Sequence, residues 1–327
     1  MKAFVTGADG LLGANLVRSL LDKGHTVKAF VLPNSGSPVL EGLDIEKVEG
    51  DLLNPDLDLA DMMGGCEGVF HCAAITDQWA DTDFVWQVNY EGAKKVLAAC
   101  LSAKIKRLVQ VGSASSYKWG TIEEPGDETG GYPPEYHLIA YMESKRKATE
   151  KTIEYVRDKG LDAVIVCPTF MLGPYDFGPS SGELVRQFIK NKVPFASPGG
   201  RNFAYAPDVA DAAASAYEKG RKGQTYLLGG HNMTYFEFFS RVADIAGTPP
   251  PKLVLPGFVI KAAGAGGSAF SAITGRKVLL NLKMAKLSLY GTYYSTEKAE
   301  KELGLKKAPI EKAITESIES LKEYGHL

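Results

Sequence analysis

The sequence predicts an α/β fold: a doubly wound parallel sheet with a smaller, interleaved C-terminal substrate domain. Three observations carry that expectation. Short β-branched runs alternate with longer helical patterns through the first half, as in a parallel sheet covered by helices on both faces. A glycine-rich turn joins the first of these runs to the first helical pattern. After Cys167, prolines and glycines from Pro168 to Gly200 break the chain into loops and short elements.

In chain order, strands are expected at 3–6, 27–31, 45–48, 69–72, 108–111 and 163–167, with helices at 13–23, 57–63, 84–102 and 140–159 between them. A helix at 208–219 and a strand at 226–228 are expected to return to the sheet. The dinucleotide-binding domain then comprises residues 1–170 with 208–230 added, and the substrate domain comprises mainly 171–207 and 231–327. Thr248-Pro-Pro-Pro251 reads as a stiff extended connector, and 310–324 as a closing amphipathic helix.

Composition narrows the class. The chain has 327 residues, 45% hydrophobic and 23% charged, enough to bury a large core. Its 37 Lys and Arg against 39 Asp and Glu argue against a phosphate-tracking surface, so no nucleic-acid partner is expected. A strand begins where a signal peptide would need a longer apolar core, which points to a cytoplasmic protein. Cys66, Cys72, Cys100 and Cys167 lack metal-site spacing and read as reduced thiols. Residues 253–275 are apolar, but Pro256, Lys261 and repeated glycines argue against a membrane span and for a lid or pocket wall. Peripheral membrane contact and an oligomer both stay open.

The motifs supply the chemistry. Gly7-Ala-Asp-Gly10-Leu-Leu-Gly13 lies between a strand and a helix, so Gly7 would make the tight turn. Gly10, with Leu11 and Leu12, would offer backbone N–H groups to a pyrophosphate, and Gly13 would allow close packing. The second strand ends Val31-Leu-Pro-Asn-Ser35, with neither an acid to repel a 2′-phosphate nor an arginine to grip one. That end favours NADP, with NAD as the alternative. Val31 is the position expected to set the preference. Asp51, followed by Leu52, is placed to accept from an adenine amino group or to cap a turn. Tyr141 and Lys145 stand four apart on a helix, so a phenol and an ammonium share one face, and the ammonium is expected to make the phenol acidic.

With Gly7, Gly10, Gly13, Asp51, His71-Cys-Ala-Ala74, Asn89, Ser113, Tyr141 and Lys145 in this order, the chain resembles an extended short-chain dehydrogenase/reductase nearly end to end. It is most similar to the dihydroflavonol-reductase and 3β-hydroxysteroid-dehydrogenase branch of the NAD-dependent epimerase/dehydratase proteins. The resemblance implies a Rossmann sheet, Ala73 and Ala74 along the cofactor, and Pro168 and Phe170 beside the nicotinamide. It also implies a catalytic serine, Ser113 or alternatively Ser115, and a Lys145 that holds the nicotinamide ribose. Asn89 would support the active-site helix or a proton relay.

The implied activity is NADP(H)-dependent reduction of a ketone on a hydrophobic substrate, lipid-, steroid- or flavonoid-like. Trp79, Trp86, Phe170, Met171, Phe177, Phe195, Phe258 and Phe270 are candidates for an apolar pocket wall, and His137 is a further residue with reach to substrate. Arg201-Asn-Phe keeps a nucleotide-sugar epimerase or dehydratase as the alternative, although 287–294 lacks a second arginine. A non-catalytic NADP-binding sensor is the remaining reading; such proteins commonly lose the Tyr or the Lys, and both are here.

Overall fold

A computed structural model describes all residues except 77–80, 137–138, 276–277 and 279, together with the side chain of Tyr136. Trp79 and His137 therefore lie outside the described residues. The strands are β1 (Lys2–Thr6), β2 (Thr26–Val31), β3 (Glu46–Glu49), β4 (Gly68–His71), β5 (Arg107–Val111), β6 (Ala163–Pro168), β7 (Phe170–Leu172), β8 (Phe195–Ala196), β9 (Gly200–Tyr205), β10 (Thr225–Leu228), β11 (His231–Thr234), β12 (Leu253–Val254) and β13 (Gly291–Thr292). The helices are α1 (Leu11–Asp22), α2 (Leu59–Met62), α3 (Thr82–Trp86), α4 (Gly92–Ser102), α5 (Ala140–Lys159), α6 (Gly182–Asn191), α7 (Ala206–Lys219), α8 (Tyr235–Ala246), α9 (Gly257–Thr274), α10 (Leu282–Leu287), α11 (Glu297–Leu303) and α12 (Ile310–Glu323).

Seven parallel strands form the main sheet in the order β10-β6-β5-β4-β1-β2-β3. The period of two along each strand divides the core. Ala3, Val5, Ala29 and Val31 pack with α1 and α7 on one face, while Phe4, Phe30, Val69 and Leu108 pack with α4 on the other. Val31, at the end of β2, is accordingly 1% exposed with its side chain in the core; Leu32, the next residue, is 56% exposed.

The expected single helix at 84–102 is α3, a π-helical turn over Gln87–Glu91, and α4 in succession. Asn89 occupies the π turn, where one extra residue per turn re-aims a side chain. Beyond β6 the expected loops and short elements include strands that pair into sheets. The strands β7, β9, β11 and β13 form a second sheet. A second core, with Phe203 stacked on Phe238 at 3.9 Å, joins α6, α8 and α12 to that sheet.

Candidate active site

The turn after β1 has the shape a pyrophosphate needs. Gly7 adopts φ +61, and a Cβ there would stand 2.7 Å from Ala73 backbone atoms. At Gly13 a Cβ would come within 2.0 Å of the Gly7 carbonyl oxygen, so strand and helix meet at backbone contact. Gly10 is the N-cap of α1 and supplies no capping side chain, which leaves the helix start open to an anion. Leu11 and Leu12 have buried side chains, so backbone is what they can present. Thr6 Oγ1 ties the ends of β1 and β4 together, hydrogen-bonding His71 Nδ1 at 2.7 Å and accepting from the Ala73 amide. Burial and the Lys145 charge push His71 down to about 3, so it is neutral at working pH. These features fit a dinucleotide cofactor.

The other expected cofactor residues divide. Ala73 and Ala74 follow β4 beside the glycine turn. Asp51 Oδ1 accepts from the Leu53 amide at 2.8 Å, the turn role that competes with adenine recognition. Leu52 has its side chain in the core, leaving only backbone for a ligand. Pro168 ends β6 and Phe170 opens β7, so both stand at the C-terminal edge of the sheet.

At the same edge Ser113, at the N-cap of the turn after β5, lies beside Tyr141 near the start of α5, where its hydroxyl favours the phenolate and works against the rise of the Tyr141 pKa. Ser113 Oγ also hydrogen-bonds Ser115 Oγ at 2.8 Å, so Ser115 stands behind Ser113. Tyr141 packs with Trp119, Tyr132, Met284 and Leu287 around Ile139 and Met142. Burial raises its pKa.

The expectation that Lys145 makes Tyr141 acidic is not met here. Lys145 Nζ is buried and donates to the Val111 carbonyl oxygen at 2.6 Å, because the open end of β5 lies one helical turn below the phenol. Burial pushes Lys145 down to about 8. The positive charge that works against the rise at Tyr141 belongs to Arg201. Sequence reasoning weighed Arg201 only as a phosphate grip. Its guanidinium sits 5.0 Å from the Phe170 ring, and its Nε donates to Tyr235 Oη at 2.7 Å.

Asn89 is a brace. Its amide pairs both ways with the Ile75 backbone, at 2.8 and 3.0 Å, and donates to Ser144 Oγ on α5 at 3.2 Å. This joins the strip after Ala74 to the helix carrying Tyr141. Asn202 does the same for the Arg201 strand, donating to Asn232 Oδ1 at 2.7 Å and accepting from the Gly230 amide at 2.8 Å. No sequence signal pointed to Asn202.

Of the aromatic wall candidates, Phe170 borders this region, whereas Trp86 stacks edge-on with Tyr90 and Phe177 with Tyr324. Met171 packs against the main core. Phe258 is 76% exposed; it and Phe270 on α9 and Phe195 on β8 face outward, correcting their assignment to a pocket wall. Among the described residues, no cluster of His, Cys, Asp or Glu could hold a metal ion, and no helix is long and apolar enough to cross a membrane.

Residues 3–229 match the model of the NAD dependent epimerase/dehydratase family. A putative dihydroflavonol 4-reductase of Synechocystis is 32% identical over 99% of this chain and 95% of its own length. Sterol demethylase protein B of Methylococcus capsulatus is 30% identical over 78% of each. A nucleoside-diphosphate-sugar epimerase from Pseudomonas aeruginosa superposes with a TM-score of 0.81 at 26% identity, over 100% of this chain and 99% of its own. Sheet order, glycine turn and these similarities agree: the chain belongs to the NAD-dependent epimerase/dehydratase family and is an NAD(P)-dependent oxidoreductase of the extended short-chain dehydrogenase/reductase type.

Proposed function

We propose that the protein reduces a ketone on a hydrophobic substrate to a secondary alcohol, with NADP(H) as cofactor. The observation that carries this reading is the Tyr141 phenol packed with Trp119, Ile139, Met142, Met284 and Leu287, with the Ser113 hydroxyl beside it. Such a surround binds apolar scaffolds and lets two hydroxyls fix one carbonyl oxygen.

When bound, the nicotinamide supplies hydride to the carbonyl carbon. Tyr141 gives its phenolic proton to the oxygen as negative charge develops there, and a pKa raised by burial keeps that proton in place at neutral pH. Ser113 hydrogen-bonds the same oxygen. Gly7, Gly10, Leu11, Leu12, Ala73 and Ala74 would hold the cofactor through backbone and methyl contacts, with Lys145 on its ribose. NADP is favoured by the neutral stretch after β2, Leu32-Pro-Asn-Ser35, whose first three residues are exposed. The substrate side would be built from 171–207 and 231–327, with 208–230 returning to the dinucleotide-binding part.

A second reading, a nucleotide-sugar epimerase or dehydratase, has one supporting observation: Arg201 lies within charge reach of Tyr141. Against it, Thr292 is the residue of β13 paired with Arg201, where a second cation would help hold a diphosphate.

Following NADPH and NADH absorbance against long-chain and polycyclic ketones, beside a panel of UDP-sugars, tests both readings. Turnover of the ketones with NADPH is expected. Conversion of UDP-sugars alone would reverse the ranking.

A further inference from the structure

The helix α9 is turned inside out for a water-facing element. Its residues Phe258, Ala262, Ala265, Ala269 and Ala272 recur at helical spacing on one stripe, and all are exposed. Beside the stripe Phe270 is exposed and Ile273 is 85% exposed. Only Ile260 and Gly264 are buried. The reason is local: a Cβ at Gly264 would stand 2.4 Å from Ala285 Cβ, so α9 packs on α10 through its glycine side and leaves its bulkier apolar residues outside. Just before α9 in the chain, β12 is exposed too, and its Leu253 pairs in register with exposed Phe195 of β8.

Charge says what covers this face. Between Asp244 and Glu297 the sequence has no Asp or Glu, whereas Lys252, Lys261, Arg276, Lys277, Lys283 and Lys286 all fall within it, in a chain of net charge -2. Lys261 and Lys286 line one open cavity of about 490 Å³ together with Leu289 and Tyr290. An exposed apolar helix face with Lys261 on the helix and Lys286 in the adjoining cavity, in a stretch of sequence without acids, suits an anionic bilayer surface. Lys261 and the glycines keep α9 from crossing that bilayer, so it lies in the plane of the headgroups.

We propose that α9, with β12 and the Lys261–Lys286 cavity, docks the protein on anionic lipid membranes. The docking face is joined to the candidate site. Tyr290 lies 5.5 Å from the Trp119 ring, and Trp119, Met284 and Leu287 pack in the cluster that contains Tyr141. A lipid-soluble ketone partitioned in the bilayer would thus enter beside α10. That last step rests on the proposed reaction; the docking does not.

The test is co-sedimentation of the full chain with phosphatidylcholine vesicles, with and without phosphatidylglycerol. Pelleting is expected only with phosphatidylglycerol, and to weaken as salt rises. Phe258→Ser with Ile273→Ser should lower partitioning about tenfold or more. Lys261→Glu with Lys286→Glu should lower it about fivefold per charge. Recovery in the supernatant with both vesicle types overturns the proposal, as does equal pelleting with both. A dimer by light scattering that the Phe258/Ile273 variant splits, without vesicle binding, would assign the face to a second copy and also overturn it. Turnover of a water-soluble ketone without lipid should be unchanged in the Phe258/Ile273 variant. Absence of ketone turnover in the unaltered protein would count against the reaction and not against the docking.

Discussion

The turn between β1 and α1 and the wall around Tyr141 face the same edge of the sheet but are specified differently. At the turn, backbone touches backbone: Gly7 holds a left-handed φ against Ala73, and Gly13 meets the Gly7 carbonyl. Around Tyr141, side chains from separate stretches converge: Ser113 after β5, Trp119 and Tyr132 from the loops before α5, and Met284 and Leu287 from α10. A backbone site demands particular residues at fixed spacing and tolerates few others. A side-chain site can exchange its walls, so it is where substrates diverge on a shared frame.

The largest expected effect falls on the side-chain site. Tyr141→Phe removes the proton donor without touching the glycine turn, so kcat should fall by about 10²- to 10⁴-fold. Cofactor affinity, followed by quenching of protein fluorescence, should be nearly unchanged. A variant with near-normal kcat would show that the two regions are not divided as donor and cradle, and the mechanism would fail.

The turn allows a paired test. Gly7→Ala places a methyl where Ala73 stands and strains a left-handed backbone, so it should cost about 2 kcal/mol or more of stability, seen as a lowered Tm. In Gly10→Ala the nearest atom is the Gly7 oxygen at 3.5 Å, ordinary contact distance, so Tm should hold. Its methyl would nevertheless crowd the open helix start, and the cofactor Kd should rise by roughly tenfold. Equal Tm losses in both variants would mean that Gly10 serves packing alone.

The same contrast explains what the sequence made legible. Most strands of the main sheet, the glycine turn and the helix bearing Tyr141 carry local signals, short β-branched apolar runs, helical spacing or glycine spacing, and their placement follows within a few residues. The strand at 226–228 was read as well, from a short apolar run after a helix. The π turn at Gln87–Glu91 was not, because its register is set by Asn89 bracing Ile75 and Ser144, residues distant in sequence. The second sheet is not legible as a sheet, because β7 and β13 have three residues or fewer, too short to show a period, and β9 finds its partners in β7, β11 and β13 only through the tertiary fold. Lys145 shows the limit most sharply. Its spacing from Tyr141 is real, yet its ammonium goes to a carbonyl that only the tertiary fold brings near.

The smallest effect separates the two cations at the edge. Arg201 lowers the pKa of Tyr141, whereas burial raises it. In the alcohol-oxidising direction the phenolate is the base, so kcat/KM rises as pH climbs through the Tyr141 pKa. Removing the Arg201 charge raises that pKa further, and in Arg201→Gln the rising limb should move to higher pH. Arg201→Lys should restore most of the shift. Lys145, pushed down to about 8, loses its charge as pH rises through that value. Any fall in kcat/KM from that loss should stay where it is in Arg201→Gln, since Lys145 is held by Val111 and not by Arg201. If Arg201 only buttresses Tyr235, the variant will lose stability with no displacement of the rising limb. The pH profile distinguishes these outcomes because a lost hydrogen bond destabilises the fold, whereas a lost charge moves the proton.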